Sequence, residues 1–230
     1  MEHAMFDTIV LLTGAIEQPA LGSELRRHNP QLTILPASTP DELAAIEPAI
    51  FPQARLIAFT SDVIVPQTIL AQLGYGAYNF HPGPPQYPGW SPAHFALYDQ
   101  AQQFGATLHV MVERVDAGSI VDVEMFAIPA EISVDGLEEL AYAGLTQIFW
   151  RSAKSLARCA EPLAELPIQW SKNKSSRRRY QAICDIPLTI SKEELERRLR
   201  IFGACHHGVV PTINLHGIQF RAVLPDHAST

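Results

Sequence analysis

Strand-like segments alternate with helix signals over the first 81 residues, and this restricts what the chain can fold into more than any other feature. Phe6 to Thr13 is an apolar run ending at Gly14, the pattern of a strand buried on both faces. Pro19 suits the first turn of a helix reaching about His28, and Gln31 to Pro36 forms a second strand. Thr39-Pro40-Asp41-Glu42 then combines a Thr cap, Pro at the first helical position and Glu three residues after the cap. Arg55 to Thr60 is the third strand, Pro66 opens a short helix through Leu73, and Gly76 to His81 is the fourth strand. Strands alternating with helices at this pitch predict a parallel sheet wrapped by helices on both faces.

Residues 82–92 hold five prolines and two glycines, so this segment is a stiff loop rather than a helix or inner strand, with any cis bond left open. A helix over 93–103 and a strand over 106–114 follow. Val115-Asp116-Ala117 makes a tight turn into a strand over 118–128, antiparallel to its predecessor. The longest helix starts at a cap near Ser133 and runs to about Ala157. Its Leu137, Leu140, Ala141, Gly144, Leu145, Ile148, Phe149 and Leu156 form one apolar stripe. The expected architecture is therefore α/β: a Rossmann-like, doubly wound, mostly parallel sheet with an antiparallel strand.

Beyond residue 161 the composition changes, and residues 162–230 are expected to append to a main domain of residues 1–161. Residues 172–179 carry five basic side chains and suggest an exposed loop. Ser191 and Glu194 make a capping box for a helix ending at Phe202, with Gly203 in a left-handed stop position. Val209 to Asn214 and Ile218 to Val223, joined by Leu215-His216-Gly217, predict a hairpin.

A formal charge of -7 argues against a broad electrostatic grip on nucleic acid. Cys159, Cys184 and Cys205 are unpatterned and suggest free thiols in a reducing compartment; no metal ligand set is expected, since adjacent Cys205, His206 and His207 cannot all face one ion. Met1 to Met5 is not a signal peptide, and no apolar run reaches membrane-spanning length. These features fit a cytoplasmic protein.

The chemistry concentrates at the end of the fourth strand. Ligands of parallel sheets bind beyond the carboxyl ends of the strands. Asn79 and His81 are two apart on a strand and share a face, and the proline-rich loop holds them. Asp116 can close on the same crevice. An amide donor, an imidazole and a carboxylate suit acyl transfer to a substrate that brings its own amine. Each also has a structural explanation, Asp116 as a turn residue and His81 as a satisfied buried ring, and the residues alone leave that choice open.

The segment from Asn79-Phe80-His81-Pro82 to Tyr87-Pro88-Gly89 resembles the signature loop of folate-dependent formyltransferases. Gly105-Ala106-Thr107-Leu108-His109 and Asp116-Ala117-Gly118-Ser119-Ile120 resemble that family's later motifs, and Val63-Ile64-Val65-Pro66 resembles its folate-pocket segment. The resemblance implies transfer of a formyl group from 10-formyltetrahydrofolate, the donor cofactor, to a small-molecule amine. It further implies Asn79 donating to the oxyanion, His81 passing protons and Asp116 tuning His81. Val63, Ile64 and Val65 would form the donor's apolar floor, and peptide groups around Glu113 and Val115 would read its pterin. His109 ranks beside the triad, a structural histidine being an equal alternative.

The loop departs from better-known members at Gly83-Pro84-Pro85, and the first strand lacks a phosphate-holding turn. The tail is short for an initiator-tRNA enzyme and is instead similar to that of sugar N-formyltransferases. This implies a nucleotide-linked amino sugar as acceptor, the basic run meeting its diphosphate, and a homodimer as a further option. A 10-formyltetrahydrofolate hydrolase and a non-catalytic folate- or nucleotide-binding module are the rival readings.

Overall fold

The structure is a computed structural model, and it describes residues 6–221. The Met1 to Met5 reading and Val223 of the expected hairpin lie outside the described residues. The strands are β1 (Thr8–Leu12), β2 (Thr33–Ala37), β3 (Ala54–Phe59), β4 (Ala77–His81), β5 (Gln103–Val110), β6 (Ile120–Ala127), β7 (Thr212–Leu215) and β8 (Ile218–Arg221). The helices are α1 (Gln18–His28), α2 (Pro40–Ala44), α3 (Gln67–Leu70), α4 (Pro92–Tyr98), α5 (Val134–Arg158), α6 (Arg177–Cys184) and α7 (Lys192–Phe202), with a 3-10 turn at Pro48–Gln53.

One six-stranded sheet runs β2-β1-β3-β4-β5-β6, and β7-β8 form a separate hairpin. The strands from β2 to β4 are parallel, and β5 is antiparallel to both of its neighbours. This is the doubly wound, mostly parallel α/β sheet with one reversed strand that the alternation predicts.

The two faces follow from the period-two alternation of each strand. Ile9, Leu11, Ile57, Phe59, Tyr78, Phe80, Ala106 and Leu108 face α1 and α5. Val10, Leu12, Leu56, Ala58 and Ala77 face α2, α3 and the 3-10 turn. On that second face, β4 and β5 present Asn79, His81, Thr107 and His109 instead of apolar side chains. Loops cover this area of sheet in place of a helix.

Arg55 on β3 is fully buried and meets no carboxylate among the described residues. Its guanidinium donates to the carbonyls of Tyr75 (2.9 Å), Leu156 (2.7 Å) and Cys159 (2.8 Å), with longer bonds to Ser155 and Glu161. The last carbonyls of a helix have no intrahelical partner. Arg55 satisfies that of Leu156, Asn29 Nδ2 that of Ala157, and the guanidinium suits the negative end of the helix dipole.

Several expectations are corrected. α4 stops at Tyr98 rather than 103, because Gln100 adopts φ 56° and Phe104 is drawn into β5 opposite Phe126. β5 therefore starts at Gln103 and ends at Val110, not 106–114, and β6 begins at Ile120. The expected tight turn is a loop over residues 111–119. The helix after Pro66 is a single turn ending at Leu70. Leu140 of the α5 stripe is 36% exposed, while Ala153 and Ala157 extend the buried face.

Arg177 to Arg179 are not loop but the first turn of α6, capped by Ser176, whose Oγ accepts from the Arg179 amide. That helix buries Tyr180, Ile183 and Cys184 against Phe95 and Phe202, which packs α6 and α7 onto α4. Gly203 is right-handed (φ -67°), so α7 ends without the expected left-handed stop. The hairpin turn is His216-Gly217, both at positive φ, with Leu215 inside β7; Val209 to Pro211 precede the strand. No peptide bond among the described residues is cis, and no helix is long and apolar enough to cross a membrane.

Candidate active site

Asn79 and His81 project from the end of β4 on the face that α5 does not cover. His109 stands opposite Asn79 in the β4–β5 pairing, beside a register shift between Leu108 and His109 in the β5–β6 pairing. Asn79 Nδ2 lies 3.1 Å from His109 Nε2. Because β5 is reversed, it ends beside the start of β4, where the Met111 amide bonds the Ala77 carbonyl. The loop over 111–119 must fold back across the sheet face to bring Asp116 to His81. Gly118 permits this: a Cβ there would sit 2.0 Å from the Val110 carbonyl oxygen.

Asp116 is the hub of the site. Its Oδ2 accepts from the Gly89 amide at 2.7 Å and lies 3.6 Å from His81 Nδ1, while Oδ1 lies 3.3 Å from His109 Nε2. The Asp116 side chain is 3% exposed. Burial pushes its pKa up, but the positive charges of His81 and His109 and the bond from the Gly89 amide outweigh that and leave it at about 2. His81 Nε2 stands 3.1 Å from the Tyr87 carbonyl, which makes Nε2 the protonated nitrogen of the neutral ring. Burial depresses the His81 pKa against the pull of Asp116. At neutral pH the pair is thus an ionised carboxylate facing the free Nδ1 of a neutral imidazole, arranged to stabilise a proton arriving there.

Two cavities meet at these residues. A narrow slot of ≈ 60 Å³ is walled by Val63, Ile64, Val65, Glu113 and Val115 and floored by Asn79, His109 and Asp116. An open cleft of ≈ 390 Å³ runs from Asn79, His81 and Asp116 past Trp90, Ser91 and Asp62. Thr60 (φ 48°), Ser91 (φ 54°) and Asp116 (φ 46°) all line the cleft in left-handed conformations that non-glycine residues rarely adopt. Such strain concentrates at functional sites. A hollow of ≈ 530 Å³ along α7 is lined mainly by charged surface side chains such as Glu194 and Arg197, and it lies away from this junction.

The structure thus brings together Asn79, His81 and Asp116 with Val63, Ile64, Val65, Glu113 and Val115, and it puts His109 in direct contact with Asn79 and Asp116. Of the basic run, Lys174 borders the cleft; Arg177 bonds the His207 carbonyl and Arg179 lies over Phe95. Among the described residues no three His, Cys, Asp or Glu side chains could hold a metal ion.

Sequence reasoning missed the strap over residues 163–175. Trp170 Nε1 donates to the Gly118 carbonyl at 2.8 Å, and its ring meets those of His81 and His109 edge-on at 5.6 and 5.0 Å. Ser175 is tied to the proline-rich loop, its amide donating to Pro88 and its hydroxyl lying 2.7 Å from the Trp90 carbonyl. The Ser171 amide bonds Pro85. Nothing local in the sequence marks Trp170 as a site residue, because its partners are more than fifty positions away.

A model of the formyl transferase family matches residues 52–144, which contain Asn79, His81, Asp116 and the slot. The chain is 29% identical over 123 residues to a methionyl-tRNA formyltransferase of Listeria monocytogenes, covering 53% of this chain and 38% of the relative. It is 32% identical over 102 residues to that of Listeria innocua, covering 42% and 33%. The chain thus spans about a third of the length of these relatives. Its fold is similar to that of a sugar N-formyltransferase from Shewanella sp (TM-score 0.74, 14% identity, 98% of this chain and 100% of that one). It is also similar to an N-formyltransferase of Helicobacter canadensis solved with folinic acid and dTDP-3-aminofucose (TM-score 0.65, 14% identity, 93% and 85%). The resemblance drawn from the sequence motifs is borne out over the matched segment.

Proposed function

We propose that this chain, with its formyl transferase segment at residues 52–144, transfers the formyl group of 10-formyltetrahydrofolate to the amine of a small acceptor, a nucleotide-linked amino sugar being favoured. The observation that carries this reading is the meeting of Asn79, His81 and Asp116 where an apolar slot opens into a solvent-facing cleft. The slot suits the donor's flat ring and the cleft suits the acceptor.

The roles follow from the atoms. The acceptor nitrogen attacks the formyl carbon, and the carbonyl oxygen becomes an oxyanion. Asn79 Nδ2 has two hydrogens; one meets His109 Nε2, which leaves the other for that oxyanion. The amine sheds a proton as it attacks, and N10 of the donor must gain one as it leaves. His81 Nδ1 backed by the Asp116 carboxylate takes up and returns that proton, so the formamide and tetrahydrofolate are released with no covalent enzyme intermediate. Exposed Ile64, Val112 and Val115 are the slot residues free to move for a bicyclic ring. The strap and the packed α6 and α7 belong to the segment taken above as an appendage of a catalytic domain ending at residue 161.

The test is calorimetric titration with 5-formyltetrahydrofolate, a stable donor analogue, followed by mass spectrometry of amino sugar nucleotides incubated with 10-formyltetrahydrofolate. Micromolar binding that is lost in Val65→Asp, together with a formylated amine, supports the reading. Donor consumption at the same rate with and without amine points to the hydrolase. A folded sample that binds no folate overturns the donor assignment.

A further inference from the structure

The loop over 111–119 has a second side. Its Arg114 and Asp116 border the slot described above, and the same two residues also border a separate hollow of ≈ 410 Å³ completed by Gly118, Trp170, Lys172 and Lys174. Arg114, Lys172 and Lys174 are exposed, and none of them pairs with a carboxylate among the described residues. Among the described residues, the one bond made by any of the three side chains is from Lys174 Nζ to the Val115 carbonyl. Other surface cations do find partners: Arg151 with Asp122 and Glu124, Arg197 and Arg198 with Glu194, and Arg27 with Glu24.

In a chain of formal charge -7, uncompensated cations on two separate segments around one hollow reverse the local sign. The wall's carboxylate, Asp116, has its oxygens turned to Gly89, His81 and His109 and away from any ligand in the hollow. Glu113 borders the slot, not the hollow. Trp170, its N–H bonded to the Gly118 carbonyl, floors the hollow.

We propose that this hollow is a subsite for a chain of closely spaced negative charges. A lone carboxylate could engage one of the cations, whereas a row of carboxylates or phosphates can engage all of them. The hollow adjoins the slot through Arg114 and the cleft through Lys174, so the charges arrive tethered to a molecule held in one or the other. Two sources share this chemistry: the γ-linked glutamate tail of a folate in the slot, and the diphosphate of an acceptor in the cleft. Naming these molecules rests on the formyl-transfer reading; the anion subsite itself does not.

The probes are pyrophosphate and the mono- and triglutamate forms of 5-formyltetrahydrofolate, titrated into the wild type and the Arg114→Gln/Lys172→Gln double variant. Neither side chain makes a hydrogen bond within the described residues, so the variant is expected to keep the wild-type circular dichroism; Lys172→Arg serves as the charge-retaining control. Binding of at least one polyanionic probe should weaken about tenfold in the double variant, not in the control, and should fall as salt rises from about 0.05 to about 0.3 M. A triglutamate advantage that vanishes in the variant assigns the subsite to the donor tail, and a loss confined to pyrophosphate assigns it to acceptor phosphates. Equal affinity of both proteins for pyrophosphate and for triglutamate overturns the subsite. If monoglutamate binding survives that result, the slot still stands. A chain that binds pyrophosphate through these residues but no folate keeps the subsite and loses the donor reading.

Discussion

Replacing Arg55 by Met keeps most of the stem but removes a buried guanidinium whose Cζ lies over the rings of Phe6 and Tyr78. Three short bonds to carbonyls are lost, at Tyr75, Leu156 and Cys159. Two of those carbonyls close α5, whose C-cap Cys159 is extended and offers no left-handed alternative. Charge-assisted bonds contribute about 1.5–3 kcal/mol each before the cost of burying the cation is subtracted. Leaving three buried carbonyls unpaired costs about 1–3 kcal/mol each, partly offset because the cation is no longer buried, which puts the net loss at about 3–5 kcal/mol. For a domain of this size each kcal/mol moves Tm by about 2–4 °C, so Arg55→Met should melt about 6–20 °C below the wild type. Thermal unfolding followed by near- and far-ultraviolet circular dichroism checks this, alongside urea midpoints at unchanged m-value. Arg55→Lys should recover part of the loss, because an ammonium has three donors but cannot fan across carbonyls on two segments. A Tm within about 3 °C of wild type for Arg55→Met would falsify the claim that this guanidinium closes the helix.

Asp116→Asn keeps the shape and tolerates the left-handed backbone but removes the charge. Formyl transfer should fall about 10²- to 10⁴-fold while binding of 5-formyltetrahydrofolate persists, and unchanged turnover would sink the proton role. The same carboxyl, at about 2 in the folded chain against an ordinary 3.8, stabilises the fold by about 2 kcal/mol above pH 4. That contribution is lost as pH falls from about 4 to about 2, so acid unfolding of Asp116→Asn should be correspondingly flatter over that window. Gly89→Ala places a Cβ 2.2 Å from the Ser175 carbonyl oxygen at φ 98°, and should loosen the strap and lower both Tm and transfer activity. Trp170→Phe keeps a ring beside the two histidines but loses the bond to Gly118. It should lower kcat and shift the pH profile while leaving donor affinity within about twofold; an unaltered profile would show that the indole only fills space.

The sheet was legible because β1, β3 and β4 are apolar runs with clear stops, and a buried parallel strand leaves few other readings. Asn79 and His81 were legible for the same reason: two residues apart at a strand end, they must share a face. Asp116 was placed correctly for an incomplete reason. The sequence suggests a turn already at the crevice, whereas the reversed β5 ends at the far end of β4 and a longer loop carries Asp116 back. The direction of β5 depends on pairing with β4 and β6, which no local pattern encodes. Arg177 to Arg179 looked like a loop because charge dominates the segment, although Tyr180, Ile183 and Cys184 share one helical face. Trp170 gave no signal at all, since its partners His81, His109 and Gly118 are assembled only by the tertiary fold.

The strap also bears on how the site is built in time. Asn79, His81, His109 and Asp116 lie within one continuous stretch of 38 residues, from 79 to 116, that forms β4, α4 and β5 with the loop that follows. Their mutual contacts close short loops and incur little chain entropy. The strap must instead return from beyond α5 and is held by a handful of backbone and hydroxyl bonds. Contacts that few and that distant belong to the low end of the opening free energies within a native protein. Hydrogen exchange should therefore find the Ser171 and Ser175 amides exchanging through a partial opening that leaves β4 and β5 intact. The acid–base constellation is held by contacts within one stretch of chain, so the cover can lift without dismantling it.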